Sequence, residues 1–121
     1  MQNKILTVLN CIAQSIFDKK GFNILALDVR NISSMTDYFI IAEGTVDRHV
    51  KAISKAIEDA LIPLGYKPWH IEGENSGDWI VIDYGDVVIH LFIPELREKY
   101  ALEELWSDGK IVDVKIDVNK K

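Results

Sequence analysis

Residues 77–94 read GDWIVIDYGDVVIHLFIP, and this stretch decides the fold. It is two apolar strands joined by a tight turn at Asp83-Tyr84-Gly85-Asp86. Gly85 takes φ > 0 without steric cost, so a two-residue loop at Tyr84-Gly85 is expected. That loop pairs Ile82 with Val87, Val81 with Val88, Ile80 with Ile89 and Trp79 with His90. Strand alternation then places Ile80, Ile82, Val87, Ile89, Leu91 and Ile93 on one face. Trp79, Val81, Asp83, Asp86, Val88, His90 and Phe92 share the other. The first face is core. The second is also largely apolar, but it carries an indole, an imidazole and two carboxylates. A hairpin apolar on both faces lies inside a sheet or keeps one face for a partner.

Downstream, Pro94 stops the strand and suits the first turn of a helix in PELREKYALEELW. The apolar positions there fit no single stripe, so a short helix to about Tyr100 and then a second turn are expected. Asp108-Gly109 marks a turn, and 111–118 alternates as an edge strand would.

Upstream, 69–72 reads as a strand after a break between Pro63 and Pro68. Before it, Val50, Ile53, Ile57 and Leu61 form a helical stripe, with Thr45 or Asp47 as N-cap. Strand, helix and strand in that order suggest a parallel pair joined by a crossover. The helix opens with Arg48, His49, Lys51 and Lys55 and closes with Glu58 and Asp59, an order that opposes its dipole. A solvated face is the simpler reading, and an anion or partner contact at the helix start is the sharper one. Residues 37–43 and 23–30 read as strands that pair antiparallel across a short polar turn. At the N-terminus, Ile5, Leu9, Ile12 and Ile16 recur at helical spacing, widened by Leu6, Ala13 and Phe17, with a stop at Gly21.

The 121 residues suggest one domain, 1–121, with 118–121 a loose tail. At 48% apolar and 27% charged, the chain is too apolar to be disordered. A formal net charge of −5 argues against nucleic-acid binding through the whole surface, and no sequence-specific contact is expected. The lone Cys11 forms no internal disulfide, which fits a reducing compartment. No signal-peptide core or membrane-length apolar run is visible, so a cytoplasmic location is expected.

The nearest approach to catalysis is Gly44-Thr45 at a strand–helix junction together with Asp83, Asp86 and His90. A metal-dependent nucleotidyl transferase holds phosphates at such a junction and metal ions on paired carboxylates. Here the carboxylates flank a turn, where Asp is common for local reasons. His49, His70 and His90 lie in different elements without ligand spacing. No catalytic residue, metal or cofactor is expected.

Three segments carry a family resemblance. Asp37 to Thr45 (DYFIIAEGT), followed by Asp47-Arg48-His49-Val50, resembles a signature of the ribosomal silencing factor family, also called Iojap-related. Residues 79–90 resemble its second signature. Pro94-Glu95, Arg97, Tyr100, Leu102-Glu103 and Leu105-Trp106 resemble its third. Val46 stands where serine is common, and the chain after Gly109 is poorly shared. The resemblance implies an α/β fold with a mixed five-stranded sheet flanked by helices, in a nucleotidyltransferase-like topology without transferase activity. It implies binding to large-subunit ribosomal protein fourteen on the large ribosomal subunit, blocking subunit joining when nutrients are scarce. It also implies a homodimer when free. The partner-binding residues expected are Trp79, Val81, Asp83, Tyr84, Gly85, Asp86, Val88, His90 and Phe92. An aromatic face with an acidic rim suits a basic partner. Against this stands the alternative that the segment 94–106 folds back over the same face.

Overall fold

The computed structural model describes residues 2–118. Its elements run α1 (Gln2–Asp18), β1 (Phe22–Asp28), β2 (Tyr38–Glu43) and α2 (Asp47–Leu61), then a 3-10 turn (Ile62–Leu64). There follow β3 (His70–Glu72), β4 (Trp79–Asp83), β5 (Val87–Phe92), α3 (Pro94–Tyr100), α4 (Leu102–Leu105) and β6 (Lys110–Ile111). The mixed sheet has six strands rather than five, in the order β3-β4-β5-β2-β1-β6. The sixth is the short β6, which pairs with β1 only at Leu27–Ile111 and Asp28–Lys110.

The main core lies between one sheet face and α1 and α2. From α1 it takes Val8, Leu9, Ile12 and Ile16, with Ile5 packed at its edge. Leu6 faces out, so the buried stripe is rotated toward Val8. The left-handed residue that closes the helix is Lys20 rather than Gly21. Lys20 takes the left-handed conformation (φ 69°). Its N–H donates to Phe17 O, while Gly21 N–H donates to Ile16 O at 2.8 Å, the paired bonds of a Schellman cap. Gly21 is needed for space, because a Cβ there would stand 2.5 Å from Ile16 Cγ2.

β2 is buried along its whole length, as a central strand must be. It pairs antiparallel with β1 and parallel with β5. The parallel partner of β2 is thus β5, not β3. β3 lies at the far edge, antiparallel to β4, because the β4–β5 hairpin inserts between them. The N-cap of α2 is Val46, without a side-chain cap, rather than Thr45 or Asp47. Asp47 Oδ1 instead accepts the adjacent Arg48 N–H at 2.8 Å.

The hairpin register differs from the expected one by two residues. Ile82 faces Ile89, Val81 faces His90 and Trp79 faces Phe92. Tyr84 N–H donates to Val87 O at 2.9 Å, so the loop is Gly85-Asp86, with Gly85 first at φ 86°. A glycine at the first loop position is a standard solution for a two-residue hairpin. A shift of two leaves every side chain on its expected face, whereas a shift of one would have inverted them. Gly85→Ala forces an L residue into the left-handed region beneath the Trp69 ring. It is expected to lower stability by about 1 kcal/mol, read as a lower urea midpoint at unchanged slope.

Past the hairpin, Ala101 at φ 44° separates α3 from α4, the break expected near Tyr100. The expected strand 111–118 is in the sheet only at its first residue. The chain then runs along α1, where Asn10 Oδ1 accepts Lys115 N–H at 2.9 Å and Gln14 Oε1 accepts Asp117 N–H at 2.7 Å. Val112 and Val114 pack against the main core. Of the expected tail 118–121, Val118 is exposed and 119–121 lie outside the described residues.

Candidate functional site

The second sheet face is aromatic and only partly roofed. Its deepest residues are Phe39, His90 and Phe92, all buried. Trp106, just beyond α4, covers Phe39 with ring centroids 4.9 Å apart. Tyr100, at the end of α3, packs on Trp79 at 5.0 Å, and Trp79 lies on Phe92 at 4.8 Å. Tilted pairs at these separations suit the ring quadrupoles. The segment 94–106 therefore does fold back, as the alternative held, with Tyr100 over Trp79 at one end of the face and Trp106 over Phe39 toward the other, but its cover is incomplete. Trp79, Val81, Asp83 and Val88 remain half-buried, and Asp86 is exposed at the hairpin tip.

The nine expected site residues thus separate by accessibility. Trp79, Val81, Asp83, Gly85, Asp86 and Val88 reach the surface in part or in full. Tyr84 does not, since it alternates onto the core face and packs against Tyr66 at 6.2 Å. Burial pushes its phenol up to about 12, keeping it neutral. Phe92 is fully buried and His90 nearly so. These three support the surface from below rather than form it. Asp83 Oδ1 accepts Gly85 N–H at 2.7 Å, so this carboxylate shapes the turn. Asp86 O accepts the N–H groups of Asp37 and Tyr38, which ties the tip to the start of β2.

Trp79 Nε1–H donates to His90 Nδ1 at 3.1 Å. His90 is therefore neutral with its proton on Nε2. Burial pulls its pKa down to about 4. The unfolded chain protonates near the ordinary value of about 6.5. As pH falls from there toward 4, the unfolded state takes up a proton that the folded state refuses, and stability is lost. The loss should approach roughly 3 kcal/mol. His90→Asn keeps an acceptor for the indole and removes the titration. Urea unfolding at pH 7 and pH 4.5 should show a smaller pH-dependent loss in the variant than in the wild type. Equal losses would contradict a neutral His90.

A polar cluster at the other end of β2 was not anticipated. Glu43, buried at 7% exposure, accepts from Asn23 Nδ2 at 3.1 Å and pairs with Arg97 at 3.3 Å. Arg97 also donates to Asn23 O and lies 3.6 Å from Glu103. The cluster pins α3 to the sheet. It borders a groove of about 670 Å³ lined in part by Leu25, Glu98 and Glu104. The only sequence sign of it was a carboxylate ending an apolar strand, which requires a partner when buried.

At the Gly44-Thr45 junction, His49 Nδ1 accepts Thr45 N–H at 2.8 Å, and its Nε2 bonds Lys19 O at 2.6 Å. An imidazole thus occupies the amide that a phosphate would need. Among the described residues, no group of three or more His, Cys, Asp or Glu side chains could hold a metal ion, and no helix is long and apolar enough to cross a membrane.

Fold and face together define a class: a small mixed α/β protein whose sheet is packed by two helices on one side and closed incompletely by a helical segment on the other. The chain belongs to the ribosomal silencing factor family, since the family model described as "Ribosomal silencing factor during starvation" matches residues 2–121. It is 37% identical over 114 residues to the ribosomal silencing factor of Bacillus subtilis (strain 168), covering 94% of this chain and 97% of that protein. A crystal structure of a protein from Chromobacterium violaceum matches with a TM-score of 0.81 at 31% identity, covering 94% of each chain. Over 75 residues the chain is 43% identical to the Mus musculus protein named mitochondrial assembly of ribosomal large subunit protein 1, covering 60% of this chain and 33% of that one.

Proposed function

We propose that this protein binds the large ribosomal subunit through ribosomal protein fourteen, sterically blocks joining of the small subunit, and so lowers translation when nutrients are limiting. Membership of the silencing factor family supports the ribosomal setting. The observation that carries the contact is the half-open face of Trp79, Val81 and Val88 beside Asp83 and Asp86. Stable interfaces place apolar anchors inside a polar rim, and an acidic rim speeds encounter with a basic protein. Chemistry plays no part in this mechanism; bulk at the right place suffices. The protein acts in the cytoplasm and is a homodimer when free, to be checked by sedimentation equilibrium.

Co-sedimentation with isolated large subunits tests the reading. The protein should travel with them at low salt, and a protein left wholly in the supernatant would overturn it. A second reading, an adaptor used only during subunit assembly, is favoured by the name of the mouse relative. Occupancy on mature as well as precursor subunits supports silencing, and occupancy on precursors alone supports assembly.

A further inference from the structure

Opposite ends of the central strands carry different local groups. Asp37, Asp83 and Asp86 gather at the hairpin tip, where β2 and β5 begin or meet the turn. At the other end of these strands, roughly 20 Å away for a six-residue strand, Gly44 N–H donates to Phe92 O and α2 starts. His49 there bonds Lys19 O and joins the end of α1 to the first turn of α2. Lys19, Lys20 and Arg48 thereby share one corner, and all three are exposed. None forms an ion pair among the described residues. The local carboxylates are engaged otherwise: Asp18 accepts from Gln14 Nε2 at 2.8 Å, and Asp47 accepts from Arg48 N–H. Glu43 is buried against Arg97.

Two of the cations on α2 also stand at its unfavourable end. Arg48 and Lys51 follow Asp47 in its first turns, while Lys55, further along, pairs with Asp59 at 3.5 Å. An exposed cation near a helix's positive pole is a placement that the helix itself does not favour. We propose that Lys19, Lys20 and Arg48 grip the phosphate backbone of structured RNA while the hairpin face engages protein, which would give the molecule two unlike contacts on the large subunit. This rests on the ribosomal reading above. Phosphate suits the corner because it offers three exposed cations that form no ion pair among the described residues. The contact runs through side chains, since His49 already occupies the Thr45 amide.

The test uses the whole protein and isolated large subunits, with co-sedimentation at about 50–200 mM salt. A Lys19→Gln, Lys20→Gln, Arg48→Gln variant should bind about tenfold or more weakly at the low end. Its plot of log affinity against log salt should be shallower by about 2–3, roughly 0.7–0.9 for each of three phosphates no longer neutralised. Binding to purified ribosomal protein fourteen should be unchanged. An unaltered salt slope overturns the RNA contact, and an equal loss toward the purified protein reassigns the corner to a protein interface. Failure of the wild type itself to bind subunits would instead sink the ribosomal reading. As a second measurement, a photo-crosslinker at position 48 should label ribosomal RNA; labelling of protein alone contradicts the inference.

Discussion

Arg97→Ala is expected to lower the unfolding free energy by about 3–5 kcal/mol, the range for removing one partner of a buried ion pair. Arg97 and Glu43 have side chains only 12% and 9% exposed, so water does little to replace the guanidinium. The truncation leaves the Glu43 carboxylate with Asn23 Nδ2 as its remaining side-chain donor. It also frees Asn23 O, which Arg97 had bonded. Asn23 sits at φ 53°, in an irregular stretch of β1 between the pairs at Phe22 and Leu25. The damage should therefore spread into the strand start. Glu43→Met combined with Arg97→Met removes both charges and should recover most of the stability, because an apolar pair avoids the stranded ion. Urea midpoints decide this: a single variant within 1 kcal/mol of wild type would mean that the pair is solvated in solution.

Binding carries the other large effect. Val81→Lys with Asp86→Lys places two cations on the open part of the aromatic face and should weaken large-subunit binding at least ~30-fold, the loss implied by one hot spot of about 2 kcal/mol. Trp79 is the more obvious target, but it is a worse probe. It covers Phe92 and bonds His90, so Trp79→Ala opens the inner layer and confuses folding with binding. Val81 and Asp86 are half-buried and exposed in turn, and their replacement should leave the urea midpoint close to wild type. A folded double variant that binds as the wild type does would remove the hairpin face from the contact.

Much of the fold was legible because alternation and helical spacing are local. The two faces of residues 79–93 could be sorted without knowing the loop, since any even register shift preserves them. The register itself was not legible. It depends on whether Gly85 takes the first or second loop position, and both tolerate positive φ in glycine. The identity of the strand beside β2 was hidden for a different reason: a crossover fixes direction, but not which later strand inserts. The rotation of α1 toward Val8 reflects where α2 packs, which no single helix reports. Of the site, the open residues Val81 and Val88 could be named from parity. The burial of Phe92 and His90 could not, because it depends on how Trp79 and Phe39 lie against them, with Tyr100 and Trp106 returning from 94–106 onto those two rings. Asn23, Glu43, Arg97 and Glu103 are scattered over 81 positions, with only the apolar run before Glu43 to flag them.

The mechanism rests on occupied space, so subunit joining is the quantity to measure. Light scattering of purified small and large subunits, mixed with and without stoichiometric protein, reads it directly. The protein bound to large subunits should suppress the joining signal, and Val81→Lys with Asp86→Lys should restore it. Normal joining by large subunits that demonstrably carry the wild-type protein would contradict the account.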